Sequence, residues 1–369
     1  MLLQLPARAG GRDRWRPITA LPATLSAVLA LVLTACSSTP SGDQTTSTSS
    51  ATAVTTTIPA STSTSTTTST TTTLPVPVQA GGTSIVRVRV AALPPGASVL
   101  PAISPASAAW LRMVPIAFRT FGSGPDLLLV AGQDGSLSWW DSTLLSDLSL
   151  QYRVTVFDLP GAGYSGAATA PLSLGWLADM TAGFALSVGL SHPIVLGWGL
   201  GGEIALSLAE RHPGLASSLV LVDTSGGGAA ATQPSRGVAG LLALPGATPL
   251  ALSELLFPPT TFGLHKRLLW QNSLLQGTPD WLTERTIQAE ARLQAAIWKR
   301  SPLTAGLSRV TIPALVVSGT NDVVFPPENA YLLDSELPHV KLRMFIDAGY
   351  GAITQDEPAF VTALEKFTA

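Results

Sequence analysis

The chain carries one cysteine, Cys36, in 369 residues. An intrachain disulfide is therefore impossible, and thiolate metal clusters are excluded. Histidine is scarce as well. His192, His212, His265 and His339 are scattered without ligand spacing, so neither a metal nor a cofactor is expected. Charge is thin: 12% of residues are charged, and only Lys266, Lys299, Lys341 and Lys366 are lysine. With no basic block or stripe, nucleic acid is not expected as a partner. No internal repeat is visible. What the chain has in quantity is apolar surface, 46% of its residues, enough for one sizeable core.

Not all of that apolar sequence belongs to the core. Arg8, Arg12, Arg14 and Arg16 precede an apolar run from Ile18 to Ala35. A basic stretch followed by an apolar one reads as an export signal. The run ends in Leu33-Thr34-Ala35-Cys36, which resembles a bacterial lipobox. That resemblance implies cleavage before Cys36, acylation of that cysteine and anchorage at the outer face of the cell membrane. Several acyl chains hold a protein stably, as one would not. An uncleaved signal anchor is the alternative, since the run is just long enough to span a bilayer. Residues 1–35 hold four arginines and Asp13, a charge of +3, so their removal takes the chain from −2 to −5.

Residues 36–81 follow as a tether. From residue 37 to about residue 80 they are almost all Ser, Thr, Pro and Ala, with Asp43 the sole charge. Such a tract buries too little to offset its chain entropy and is expected to be disordered, a flexible or O-glycosylated stalk.

The body is expected over residues 82–369. Ile85 to Val90 alternates at period two, as a half-exposed edge strand does. Short apolar runs follow at Pro115–Arg119, Leu127–Val130, Tyr152–Phe157, Pro193–Leu196, Ser218–Val222, Ala314–Val317 and Lys341–Phe345. Most are continuous, the mark of parallel strands covered on both faces. Helical patterns lie between them at 177–188, 204–211, 330–337 and 358–367. This alternation predicts an α/β fold, a mostly parallel central sheet flanked by helices. One stretch departs from it. From about residue 225 to 308 no convincing strand occurs, and the apolar spacing predicts a helical insertion.

Five motifs point to a family. Leu127 to Ser136 reads apolar strand then Ala131-Gly132-Gln133-Asp134-Gly135. Asp158-Leu159-Pro160-Gly161-Ala162-Gly163-Tyr164-Ser165 follows, then Gly197-Trp198-Gly199-Leu200-Gly201-Gly202 between a strand and a helix. Val317-Ser318-Gly319-Thr320-Asn321-Asp322 and Ala348-Gly349-Tyr350-Gly351-Ala352 close the series. In this order they resemble the oxyanion loop, the Asp-x-x-Gly-x-Gly-x-Ser loop, the nucleophile elbow, the acid turn and the histidine loop of α/β-hydrolases. The resemblance covers roughly residues 112–369 and implies that the helical insertion is the family's cap.

It also implies a catalytic triad of serine, acid and histidine. Here those positions hold Gly199, Asp322 and Tyr350, so only the acid is in place. Ala131 stands where a histidine is usual. A glycine cannot form an acyl-enzyme, and a phenol with a pKa of about 10 is a poor base at neutral pH. Losing the nucleophile or base of a triad costs on the order of a million-fold in turnover. By resemblance, the backbone N–H groups of Gln133 and Leu200 would form the oxyanion hole, which survives loss of the side chains. Asp322 could accept a hydrogen bond from the Tyr350 hydroxyl. His265, in the insertion, is the one histidine placed to reach the site from above. Trp198, Trp270, Trp281 and Trp298 either line a ligand or pack the cap on the core. The expectation is a lipid-anchored, extracytoplasmic hydrolase-like protein that binds a small apolar or acyl ligand, or a protein partner, without turnover. The alternatives are an ester hydrolase using an unorthodox water or cap residue, and a structural envelope protein.

Overall fold

A computed structural model describes residues 84–90, 112–133, 135–168, 171–244, 249–276, 284–300, 303 and 306–369. The expected export signal, Cys36 and the tether lie outside these residues, as does Trp281.

Eight strands form one sheet: β1 (Ser84–Val90), β2 (Arg112–Phe121), β3 (Asp126–Val130), β4 (Arg153–Phe157), β5 (Ile194–Trp198), β6 (Ser218–Val222), β7 (Ala314–Gly319) and β8 (Val340–Phe345). Their spatial order is β1-β2-β4-β3-β5-β6-β7-β8. β1 and β2 run antiparallel, and β2 is antiparallel to β4; the remaining neighbours are all parallel. β1 is the edge strand that its alternation predicts, with Ile85 outward and Val88 fully buried.

The continuous apolar runs are explained by helices on both faces. Leu128 and Val130 of β3 face one core, with α2 (Leu174–Ser187), α3 (Leu200–Arg211) and α8 (Glu328–Glu336). Leu127 and Leu129 face the other, with α1 (Ser142–Ser149) and α10 (Glu357–Thr368). Asp141 starts α1 by accepting from the N–H groups of Thr143 at 2.8 Å and Leu144 at 3.1 Å. Ser173 does the same for α2 through Trp176 at 3.2 Å. Such caps satisfy donors that a helix start leaves unpaired.

The expected insertion between β6 and β7 holds four helices among the described residues: α4 (Arg236–Leu242), α5 (Pro249–Leu256), α6 (Thr261–Gln276) and α7 (Glu284–Lys299). Helix α1 and the short α9 (Ala352–Gln355) were not expected from the sequence. Chemistry in such sheets gathers at the carboxyl ends of the strands, and the motif residues that follow β3, β4, β5, β7 and β8 all lie there.

Candidate active site

The elbow is built as its residues demand. β5 leads into Gly199, which has φ 56° and ψ −119°, and α3 starts at once. That positive φ costs an ordinary residue about 1–3 kcal/mol, and glycine much less. Gly199 also caps α3 without any side chain. Its backbone is held on both sides: the N–H donates to Val222 O at 2.9 Å, and the carbonyl accepts from Thr224 Oγ1 at 2.6 Å. The turn is tight enough that a β-carbon on Gly201 would strike the Val130 and Ala131 carbonyls.

The space beside Gly199 is filled. A β-carbon placed on Gly199 would collide with the Tyr350 hydroxyl, with Tyr350 Cζ at 3.0 Å and Phe325 Cε2 at 3.3 Å. The same hydroxyl lies 2.6 Å from a β-carbon built on Gly132, the start of the oxyanion loop. Tyr350 therefore lies between elbow and oxyanion loop, its oxygen where a serine side chain would begin. Trp198 fixes it there. The indole Nε1 donates to Tyr350 O at 2.8 Å, and the two rings are 4.9 Å apart.

Asp322 is buried at the end of β7. Its Oδ1 accepts from the N–H groups of Val324 at 2.7 Å and Phe325 at 3.0 Å. Its Oδ2 is buried without a hydrogen-bond partner. The expected bond from the Tyr350 hydroxyl to Asp322 is thus not made, because that hydroxyl is drawn across to the space that glycine leaves at 199. Burial pushes the Asp322 carboxyl up to about 8, opposed by the two backbone bonds. Asp223, at the end of β6, is a second buried acid here. Its Oδ1 accepts from Gly319 N at 3.0 Å and its Oδ2 has no partner. Burial, then the charge of Asp322, holds its carboxyl well above the usual range.

The remaining expected residues divide. Leu200 is fully buried at the first position of α3. Gln133 is buried and its side chain turns to the cap, donating to Leu242 O at 3.3 Å. His265 is exposed on α6, whereas Trp270 of the same helix is buried, so the imidazole does not face the site. His212 lies at the far end of α3, where it meets Asp179. Trp198, Trp270 and Trp298 are all buried within a chain of aromatic contacts. Trp139 joins Trp198 and Trp270 at 6.3 and 5.8 Å; Phe325 joins Tyr350 and Trp298 at 5.9 and 6.1 Å. Packing of cap on core accounts for them. Among the described residues, no group of three His, Cys, Asp or Glu could hold a metal.

Sequence reasoning missed one cluster entirely. Glu203, in the first turn of α3, is buried and accepts from Gln294 Nε2 of α7 at 3.0 and 2.9 Å and from Ser225 Oγ at 2.7 Å. A buried-side Glu in the elbow helix was the available signal; its partners lie up to 91 residues away.

The sheet order, the elbow and the order of the loops define the class. The chain belongs to the α/β hydrolase fold family, whose family model matches residues 127–355. Among curated relatives, a pimeloyl-[acyl-carrier protein] methyl ester esterase of Nitrosomonas europaea is 30% identical over 267 residues, covering 69% of this chain and 99% of that protein. An uncharacterised protein of Mycobacterium tuberculosis is 27% identical over 268 residues, covering 68% and 77%. Among solved structures, an alpha/beta hydrolase fold protein from Chitinophaga pinensis superposes with a TM-score of 0.59 at 24% identity, covering 69% of this chain and 94% of that one. A thermophilic esterase from Thermogutta terrifontis gives 0.58 at 20% identity, covering 77% and 98%.

Proposed function

We propose that the protein is a non-catalytic member of this family, anchored through an acylated Cys36 at the outer face of the cell membrane, that binds a small apolar or acyl ligand. The observation that carries the loss of serine chemistry is the Tyr350 hydroxyl at the vacated elbow. No oxygen nucleophile is attached at 199, and the space for one is taken by a buried phenol. Binding is supported by what surrounds that phenol. Trp140 Nε1, Trp298 Nε1 and Asp322 Oδ2 are buried without partners. Trp140 and Trp298 are each one ring contact from Trp198 or Phe325, the two aromatics flanking Tyr350, and Asp322 accepts from the Phe325 N–H. Each unmet polar atom costs about 1–3 kcal/mol, so a ligand with an apolar body and a small polar head that enters by displacing Tyr350 would recover that energy.

The relatives named as esterases set the competing expectation, turnover of ester substrates. A panel of short-chain p-nitrophenyl esters decides between them. The wild type is expected to be inactive, while octanoate raises its melting temperature. Turnover abolished by Asp322→Ala would sink the non-catalytic reading. The double variant Gly199→Ser with Tyr350→His is expected to gain measurable esterase activity, which neither single variant shows.

A further inference from the structure

Helix α7 carries two residues that act at different places but on one face. Gln294 and Trp298 are four apart, hence neighbours along the helix surface. Trp298 roofs the site, its ring 6.1 Å from Phe325, which in turn stacks on Tyr350 at 5.9 Å. Gln294 reaches the core, bonded to Glu203 of α3 at 2.9 and 3.0 Å. Ser225, in the loop that leaves β6, completes the junction at 2.7 Å. The last turn of α7 is also tied by the backbone, Gly228 N donating to Ile297 O at 2.9 Å. That bond is insensitive to charge and can serve as a hinge.

Among the described residues, no cation balances Glu203. Among neighbouring titratable groups, Glu290 lies one turn earlier on α7, buried. Asp223 on the β6 side is bonded to Gly319 N. Asp179 of α2 is engaged with Arg211 and His212 at the opposite end of α3. No charge interaction from any of them acts on Glu203. Burial pushes its carboxyl up to about 8, against the bonds from Ser225 and Gln294. Neutral Glu203 has a proton to place, and the buried, unpartnered Gln294 Oε1 is a matching acceptor. A half-turn of the Gln294 amide brings that oxygen to the carboxylic O–H while Ser225 still donates to the other oxygen. Ionised Glu203 has no proton to give, leaves Gln294 Oε1 unmet and is a buried unbalanced charge, which is unfavourable.

We propose that Glu203, Gln294 and Ser225 form a proton-operated latch, holding α7 over the site while Glu203 is neutral and letting the helix lift when Glu203 ionises. Lifting swings the Gln294 turn of α7 about the Gly228–Ile297 bond, which turns the adjacent Trp298 against Phe325 and loosens the cover over Tyr350. The latch takes its functional meaning from the ligand-binding reading above, but its operation does not depend on a ligand.

Hydrogen exchange on the full-length protein without ligand tests it, following amides of residues 284–300 with α10 as the internal reference. After correction for intrinsic rates, α7 exchange is expected to speed up about tenfold between about pH 6 and about pH 9, while α10 holds. Glu203→Gln keeps α7 slow throughout, because its amide can donate to Gln294 Oε1 at every pH. Ser225→Ala retains the titrating group and loses a donor to the anion, so its transition moves to higher pH. A wild-type α7 that follows α10, or a Glu203→Gln protein that accelerates like the wild type, overturns the latch; should Glu203→Gln not fold, an unmoved transition in Ser225→Ala does so. Octanoate binding measured in parallel separates the two proposals: a pH transition without binding defeats the ligand reading and supports the latch.

Discussion

The two ends of helix α3 treat buried charge in opposite ways. At its C-terminus, Asp179 of α2 is bonded to Arg211 at 2.9 and 2.6 Å and to His212 at 2.8 Å. Burial there pushes the Asp179 carboxyl up, but the bonds from His212 and Arg211 and their charges more than offset it, and the net shift is downward. At its N-terminus, Glu203, Asp322 and Asp223 are buried with no cation among the described residues, and all three are raised. One end is a closed electrostatic account. The other, beside the elbow, holds unmet polar atoms and acids kept neutral. Perturbed, uncompensated groups cluster at functional sites more often than elsewhere. Here the pattern surrounds Gly199 and Tyr350.

Breaking the compensated end has the largest expected effect. Asp179→Ala strands Arg211 and His212, and removing one partner of a buried pair costs about 3–5 kcal/mol. Arg211 keeps 24% of its side chain exposed, which lowers the expectation to about 2–3 kcal/mol in urea unfolding. A loss below about 0.5 kcal/mol would mean that the contrast between the two ends carries no energetic weight.

The elbow gives the next effect. Gly199→Ser places a β-carbon against the Tyr350 hydroxyl and forces an ordinary residue to positive φ. Overpacking and strain together are expected to cost about 2 kcal/mol. Tyr350→His shortens the opposing side chain, so the pair should be less destabilising than the sum of the singles by about 1 kcal/mol. Strict additivity in thermal unfolding would show that Tyr350 does not occupy the serine's space.

The third effect is in pH. Unfolded carboxyls lose their protons near pH 4, while folded Glu203 and Asp322 retain theirs up to about 8. Between those values the folded state binds more protons, so stability falls as pH rises and levels off above about 8. Asp179 runs the other way: its contribution is present above its unfolded value and is lost as pH falls through its lowered folded one. The two ends of α3 should therefore weaken at opposite extremes of pH. Urea midpoints of Glu203→Gln and Asp322→Asn are expected to flatten the fall between about pH 4 and about pH 8, and an unchanged fall would assign it to other groups.

Much of the architecture was legible because it is written locally. Strands covered on both faces show as continuous apolar runs, and the Ile85–Val90 alternation gave away an edge. The elbow was legible from glycine placement alone, since only that backbone needs Gly199 and Gly201. Helix α1 was not, because Leu144 and Leu148 offer too short an apolar repeat. Within the site, residue positions could be read but not directions. Tyr350 was expected to point at Asp322 and instead fills the space over Gly199. His265 was the one histidine that could reach the site from the cap, but lies on the exposed side of α6. Both outcomes depend on packing between segments far apart in sequence, as do the bonds of Glu203 to α7.

Tyr350's place over the elbow also constrains descent. Glycine and serine codons, like those of tyrosine and histidine, can be one base apart, so the two changes that separate this elbow and loop from the family pattern are individually accessible. They are not accessible in either order. A serine arriving first meets a phenol already in its place, whereas a histidine arriving first clears the room. The filled site acts as a ratchet: the fold admits serine and histidine at these two positions by one sequence of steps and resists the other.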